Sequence, residues 1–118
     1  MARRRTNPDF LNGVPELLIL QLLSTQPAYG YQLVQAISGA GEEFQFGEGC
    51  IYPILHRLES DRLVTSHRET VSGRSRVVYR ITASGKKRLG ESARTWAAIA
   101  EAVERVLRGG EHGETAMA

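Results

Sequence analysis

Between Leu89 and Leu107 six residues, Leu89, Ala93, Trp96, Ala100, Val103 and Leu107, recur at alternating four- and three-residue steps. That spacing is a heptad seam, the signature of a helix packed lengthwise on another helix. Thr82 is placed to cap the segment, and "ASGKKRL" starts it. At 1.5 Å per residue a helix from Ala83 to Arg108 is about 39 Å long. A chain of 118 residues offers too small a domain to cover that whole length. The expected partner is a second copy of the chain. Packing wholly on the chain's own first helix is the competing solution, since small alanines suit either close contact.

The length allows one compact domain, or one small domain plus this extra helix, and leaves no room for a second catalytic domain. With 42% hydrophobic and 24% charged residues the composition is that of a soluble globular chain. The longest apolar run, Leu17 to Leu23, is broken by Gln21 and too short to span a bilayer. No signal region precedes it, so a cytoplasmic protein without membrane contact is expected. One cysteine forms no internal disulfide, and Cys50, His56, His67 and His112 lack zinc-type spacing. No metal or other cofactor is called for.

Upstream of the seam the pattern changes repeatedly. Val14, Leu17, Leu18, Leu20 and Leu22 form an apolar helix, with Asn12 as its cap and Pro15 in its first turn. Pro27 stops it, and from about Tyr29 the stripe Leu33, Val34 and Ile37 makes a second helix that ends at "SGAG". Phe44 and Phe46 alternate around Gln45, which suggests a two- or three-residue strand before Gly47 and Gly49 turn the chain.

In "GCIYPILHRLESDRLV", Ile51, Ile54, Leu55 and Leu58 share one arc of a third helix, leaving Tyr52, Pro53, His56, Arg57 and Ser60 outward. Pro53 is expected in the first turn, where a missing N–H costs nothing. Gly49 keeps bulk away from a helix terminus whose free N–H groups favour a phosphate. Two strands follow, joined at "VSGRSR", with Val77, Tyr79 and Ile81 alternating against Val78, Arg80 and Thr82. Gly73 supplies the turn, and Arg74 and Arg76 flank Ser75 at the protruding tip.

Net charge is only +2, but the cations cluster. Arg3, Arg4 and Arg5 stand together, and the stretch Arg62 to Arg88 holds eight basic residues against the single acid Glu69. Such patches suit a polyanion. Three helices, a short strand and a basic hairpin, in that order, make a winged helix-turn-helix. The expected fold is therefore mainly α with a small β-hairpin, with one long C-terminal dimerisation helix. Its parts are a basic arm at 1–9, a winged-helix DNA-binding domain at 10–82, the dimerisation helix at 83–108 and a disordered tail at 109–118.

The segments "ELLILQLL", "PAYGYQL", "GCIYPILHRLESDRLV" and "GRSRVVYRITASGKKRL" also resemble the PadR-like transcriptional regulators, in order and spacing, over most of Glu16 to Leu89. The resemblance implies a dimeric DNA-binding protein, commonly a repressor released by a small molecule. It points to the short subgroup with a single C-terminal helix, whose members are associated with aromatic or multidrug-like compounds. Cys50 departs from the family, which carries threonine or serine there. At a helix N-terminus it could be a low-pKa redox switch; the favoured reading is a small, partly buried stand-in for a hydroxyl.

The site residues follow. Gly49, Tyr52 and the third helix's N-terminus are expected to set the phosphate register, His56 and Arg57 to meet base edges, and Arg74 and Arg76 to grip the backbone or minor groove. Tyr31 and Gln35 on the second helix are further phosphate candidates. The expected partner is double-stranded DNA with a pseudo-palindromic operator. Leu89, Ala93, Trp96, Ala100, Val103 and Leu107 make the homodimer. Trp96, with the small Ala93 and Ala100 around it, is the place for a planar aromatic ligand. No nucleophile, base or carboxylate pair occurs at catalytic spacing, so an enzyme is not expected. A winged-helix adaptor that binds only protein is the alternative, and cations concentrated on wing and arm argue against it.

Overall fold

A computed structural model describes residues 13–109. The arginine arm, Asn12 and most of the expected tail lie outside that range. Four helices, α1 (Val14–Thr25), α2 (Gly30–Ala40), α3 (Glu48–Ser60) and α4 (Ala83–Leu107), surround a three-stranded antiparallel sheet. Its strands β1 (Ala28–Tyr29), β2 (Val64–Val71) and β3 (Arg74–Ile81) lie in the order β1-β3-β2. This is the expected winged helix-turn-helix with one long C-terminal helix.

The core forms where the apolar arcs of the first three helices meet one face of the sheet. Ile19 and Leu20 of α1, Leu33 of α2, Ile51, Leu55 and Leu58 of α3 and Val64 of β2 are almost wholly withdrawn from water. Each such side chain contributes about 1.5–3 kcal/mol by burial. Ile54 lies at the arc's edge and is only partly covered. In the sheet the register pairs Ser66 with Tyr79 and His67 with Val78. The expected alternation holds, and it gives Val77, Tyr79 and Ile81 the core face, while Arg74, Arg76 and Arg80 share the opposite face with Val78, His67 and Glu69.

Four local expectations are corrected. The N-cap position of α1 falls on Gly13, in a left-handed conformation (φ 91°), one residue later than expected. Glu42–Phe44 is a 3₁₀ turn rather than a strand. Phe44 and Phe46 stack there with ring centroids 6.1 Å apart instead of pointing to opposite faces. The third strand is Ala28–Tyr29, which pairs with Tyr79 and Val78. Pro53 is the sixth residue of α3, not part of its first turn. The helix runs on past it because Leu55 and Leu58 are fully buried beyond it, which outweighs one missing hydrogen bond. The hairpin is tighter than "VSGRSR" implied. Ser72 and Gly73 alone turn the chain, both at positive φ (52° and 79°), as a two-residue hairpin turn requires, so Arg74 and Arg76 belong to β3.

The long helix is joined to this domain backbone against backbone. The Leu63 carbonyl accepts from Thr82 N at 3.0 Å and from Thr82 Oγ1 at 3.1 Å. Thr82 Oγ1 also accepts from Gly85 N at 3.0 Å, the cap read from the sequence. Gly85 lies so close to Leu63 that a methyl group there would overlap the carbonyl oxygen.

Gly85→Ala is therefore expected to lower unfolding free energy by about 1–3 kcal/mol, the usual cost of overpacking against atoms that cannot yield. Gly90→Ala, whose added carbon would meet only the Arg94 side chain at 3.5 Å, is expected to raise it by about 0.5–1 kcal/mol through helix propensity. Urea denaturation of the two variants measures the contrast.

Candidate nucleic-acid interface

The start of α3 is bare. Gly47 precedes it at φ 78°, a conformation that favours glycine, and no side chain caps it. The Gly47 carbonyl accepts from Cys50 N and Ile51 N at 3.2 and 3.1 Å. No atom of the described residues lies within 4 Å of the point where a Cβ on Gly49 would stand, so the helix start is open on that side among them. Gly49, Pro53, His56 and Ser60 are all exposed, and at 3.6 residues per turn they form one stripe along the helix. An open helix terminus followed by an exposed stripe can accept a phosphate and then lie against a groove. Glu48, an acid in this first turn, complements the helix dipole but opposes a close polyanion.

Tyr52 and Arg57 border the stripe, and neither is as free as the sequence suggested. The Tyr52 ring occupies the space that a Cβ on Gly30 would need, which explains the glycine between Tyr29 and Tyr31 and holds α2 to α3. Burial, and then the charge of Glu48, push the Tyr52 phenol up, while Arg76 pulls the other way. The phenol thus stays protonated at neutral pH, a hydrogen-bond donor. Arg57 Nη2 donates to Glu16 Oε1 at 2.6 Å, an α1 contact that sequence reading missed. His56 is exposed. On α2, Tyr31 and Gln35 are both exposed, four residues apart and so on one helix face, while Tyr29 N donates to Gln32 Oε1 at 3.0 Å at the helix start.

The wing's cations divide by face. Arg74 is exposed beside the turn. Arg76 is half-buried, its guanidinium 4.8 Å above the centre of the Tyr29 ring, and its Nε is buried without a hydrogen-bond partner among the described residues. An unmet buried donor costs about 1–3 kcal/mol, which the ring contact offsets by about 0.5–2 kcal/mol. Arg80 is held by Glu69 at 2.7 Å, and His67 contacts the same carboxylate. These two hydrogen bonds draw Glu69 below the usual carboxylate range, His67 being the larger cause. Arg68, exposed and 3.4 Å from Ser75, lies on the strand face that packs towards α3. It belongs to the cation cluster between Arg62 and Arg88 but not to the residues expected in the site. The alternation of Ser66, Arg68 and Thr70 was the available signal.

Along α4 the seam is used unequally. Leu89 packs against the core, whereas Trp96, Val103 and Leu107 are 47%, 49% and 77% exposed, with Ile99 and Val106 exposed beside them. A seam covered entirely by its own first helix is therefore excluded. Trp96 and Ile99 line a groove of about 320 Å³ with Val14, Leu17 and Arg88. Of the three residues expected to hold a ligand, Trp96 lines this groove and Ala93 and Ala100 do not. Among the described residues no three His, Cys, Asp or Glu side chains could hold a metal ion, and no helix is long and apolar enough to cross a membrane. Burial pushes the Cys50 thiol up, against the low pKa of a redox switch.

Residues 19–91 match the transcriptional regulator PadR-like family. A transcriptional regulator of Mycobacterium tuberculosis is 36% identical over 104 residues, which span 88% of this chain and 92% of that protein. The crystal structure of a PadR-like transcriptional regulator from Bacillus cereus superposes with a TM-score of 0.77 at 33% identity, covering 86% of this chain and 98% of the other. That of a PadR family transcription regulator from Clostridium difficile gives 0.73 at 30% identity, covering 80% and 99%.

Because the raised pKa leaves Cys50 as a neutral thiol at pH 7, its alkylation by iodoacetamide is expected to be slower than that of free cysteine and to accelerate only above the ordinary thiol range. A rate at pH 7 above that of free cysteine would restore the redox reading.

Proposed function

Since the chain belongs to the PadR-like family of transcriptional regulators, we propose that it is a homodimeric DNA-binding regulator, a repressor released by a small aromatic or multidrug-like effector. The observation that carries the reading is the bare α3 terminus with its exposed stripe, set beside a basic wing whose Arg74 is exposed. In a two-fold dimer, two α3 termini enter successive major grooves of a pseudo-palindromic operator, about one helical turn apart. Tyr52, Tyr31 and Gln35 give phosphate contacts, His56 meets base edges, and the wing arginines hold backbone alongside. Selection of bound fragments from random DNA by the purified protein tests the reading and reads the operator at once. Absence of any enriched sequence would count against it.

The exposed face of α4 is the dimer surface in this reading, with Trp96 near the two-fold axis. A planar ligand between the two long helices that binds better when they splay must disfavour the α3 spacing that fits the operator. Val103→Glu, which sets a charge on that face, is expected to convert dimer to monomer by light scattering and to weaken operator binding by about 10²-fold or more as the second α3 is lost.

Arg74→Ala with Arg76→Ala is expected to weaken binding to all duplex DNA and to flatten the salt dependence by about two phosphate contacts per subunit, with the dimer intact. An unchanged slope in a salt titration removes the wing from the interface.

A further inference from the structure

Glu16 ties together three helices. It stands in the first turn of α1, with 17% of its side chain exposed, and its two carboxylate oxygens go to two different arginines. Oε1 accepts from Arg57 Nη2 of α3 at 2.6 Å, and Oε2 accepts from Arg88 Nη1 of α4 at 3.1 Å. One anion thus serves two cations, and its attraction for either depends on where the other stands. The two arginines face different surroundings. Arg57 has 54% of its side chain in water at the border of the α3 stripe. Arg88 lines the α1–α4 groove beside Leu17 and Trp96.

We infer that Glu16 is a positioning residue that sets how far Arg57 is available to DNA phosphate, and that Arg88 sets the strength of that hold. The inference rests on the reading of α3 as the helix that meets DNA. With Arg88 in place, Glu16 is shared and its hold on Arg57 is partial, so Arg57 can leave it for a phosphate at a smaller loss. With Arg88 drawn away, the carboxylate falls wholly to Arg57 and holds it from the DNA. A change in the groove therefore reaches the recognition helix through one carboxylate, with no movement of the core.

The test is a salt titration of the full chain on labelled duplex DNA. Glu16→Gln frees Arg57 and is expected to steepen the slope of log K against log salt by up to about 0.9 per subunit, with binding roughly five- to tenfold tighter at 0.1 M salt. Arg88→Gln is expected to flatten the slope. Both shifts are expected to vanish in an Arg57→Gln background, which separates the relay from a general change in net charge. A merely structural role for Glu16 would move the melting temperature and leave the slope alone. Shifts of the same sign, shifts that persist without Arg57, or no shift overturn the relay while wild-type binding leaves the regulator reading standing. Failure of wild type to bind DNA overturns both. Should Glu16→Gln unfold the chain, Arg88→Gln, which keeps the Glu16–Arg57 pair, decides by its sign.

Discussion

The geometry of the whole molecule hangs on the Leu63 carbonyl. The chain leaves α3 through Arg62, at φ 62°, and Leu63 N donates back to the Leu58 carbonyl at 2.9 Å. Its own carbonyl then receives both donors of Thr82, while Gly85 rests against it. The end of α3, the end of the sheet and the root of the long helix thus converge on one peptide group. Side chains can repack around a contact, but backbone atoms within hydrogen-bond distance have little such freedom. The angle between α3 and α4 is consequently fixed near their junction. In a dimer held along α4, the separation of the two α3 helices would be set by the same few atoms.

Electrostatics divide along the same line. On the distal part of α4, Arg105 lies 3.9 Å from Glu101 and Arg108 lies 2.9 Å from Glu104. Those charges are matched within their own helix, which leaves its apolar side as the feature that can select a partner. Closer to the wing the cations are less completely matched, and they are graded by their neighbours. Arg80 and Arg88 are tied to carboxylates, Arg76 to an aromatic face, and Arg74 stands exposed.

The elements whose burial is periodic were legible in the sequence. Ile51, Leu55 and Leu58 are spaced as a helix spaces its core, and Val77, Tyr79 and Ile81 as a strand does, so their faces followed from counting. The Thr82 cap was legible because its chemistry is local. What escaped was set by contacts distant in sequence. Ala28 and Tyr29 become a strand only because Tyr79 and Val78 lie opposite them, and two residues carry no period. Glu16 meets partners 41 and 72 residues away, which no local pattern announces. The count of eight cations between Arg62 and Arg88 was correct as composition but overstated the free charge. The place of Pro53 was misjudged because the helix begins at Glu48, before any apolar residue marks it.

The order of the sheet has one more consequence. With β3 in the centre, β2 is an eight-residue edge, long enough for another molecule's strand to extend the sheet. Its middle carries His67, Arg68 and Glu69 in succession, and charged side chains on an edge oppose such growth. The opposite edge, β1, is only two residues long and offers almost no template. Crowded copies of this chain are thereby steered away from fibrous stacking through their sheets.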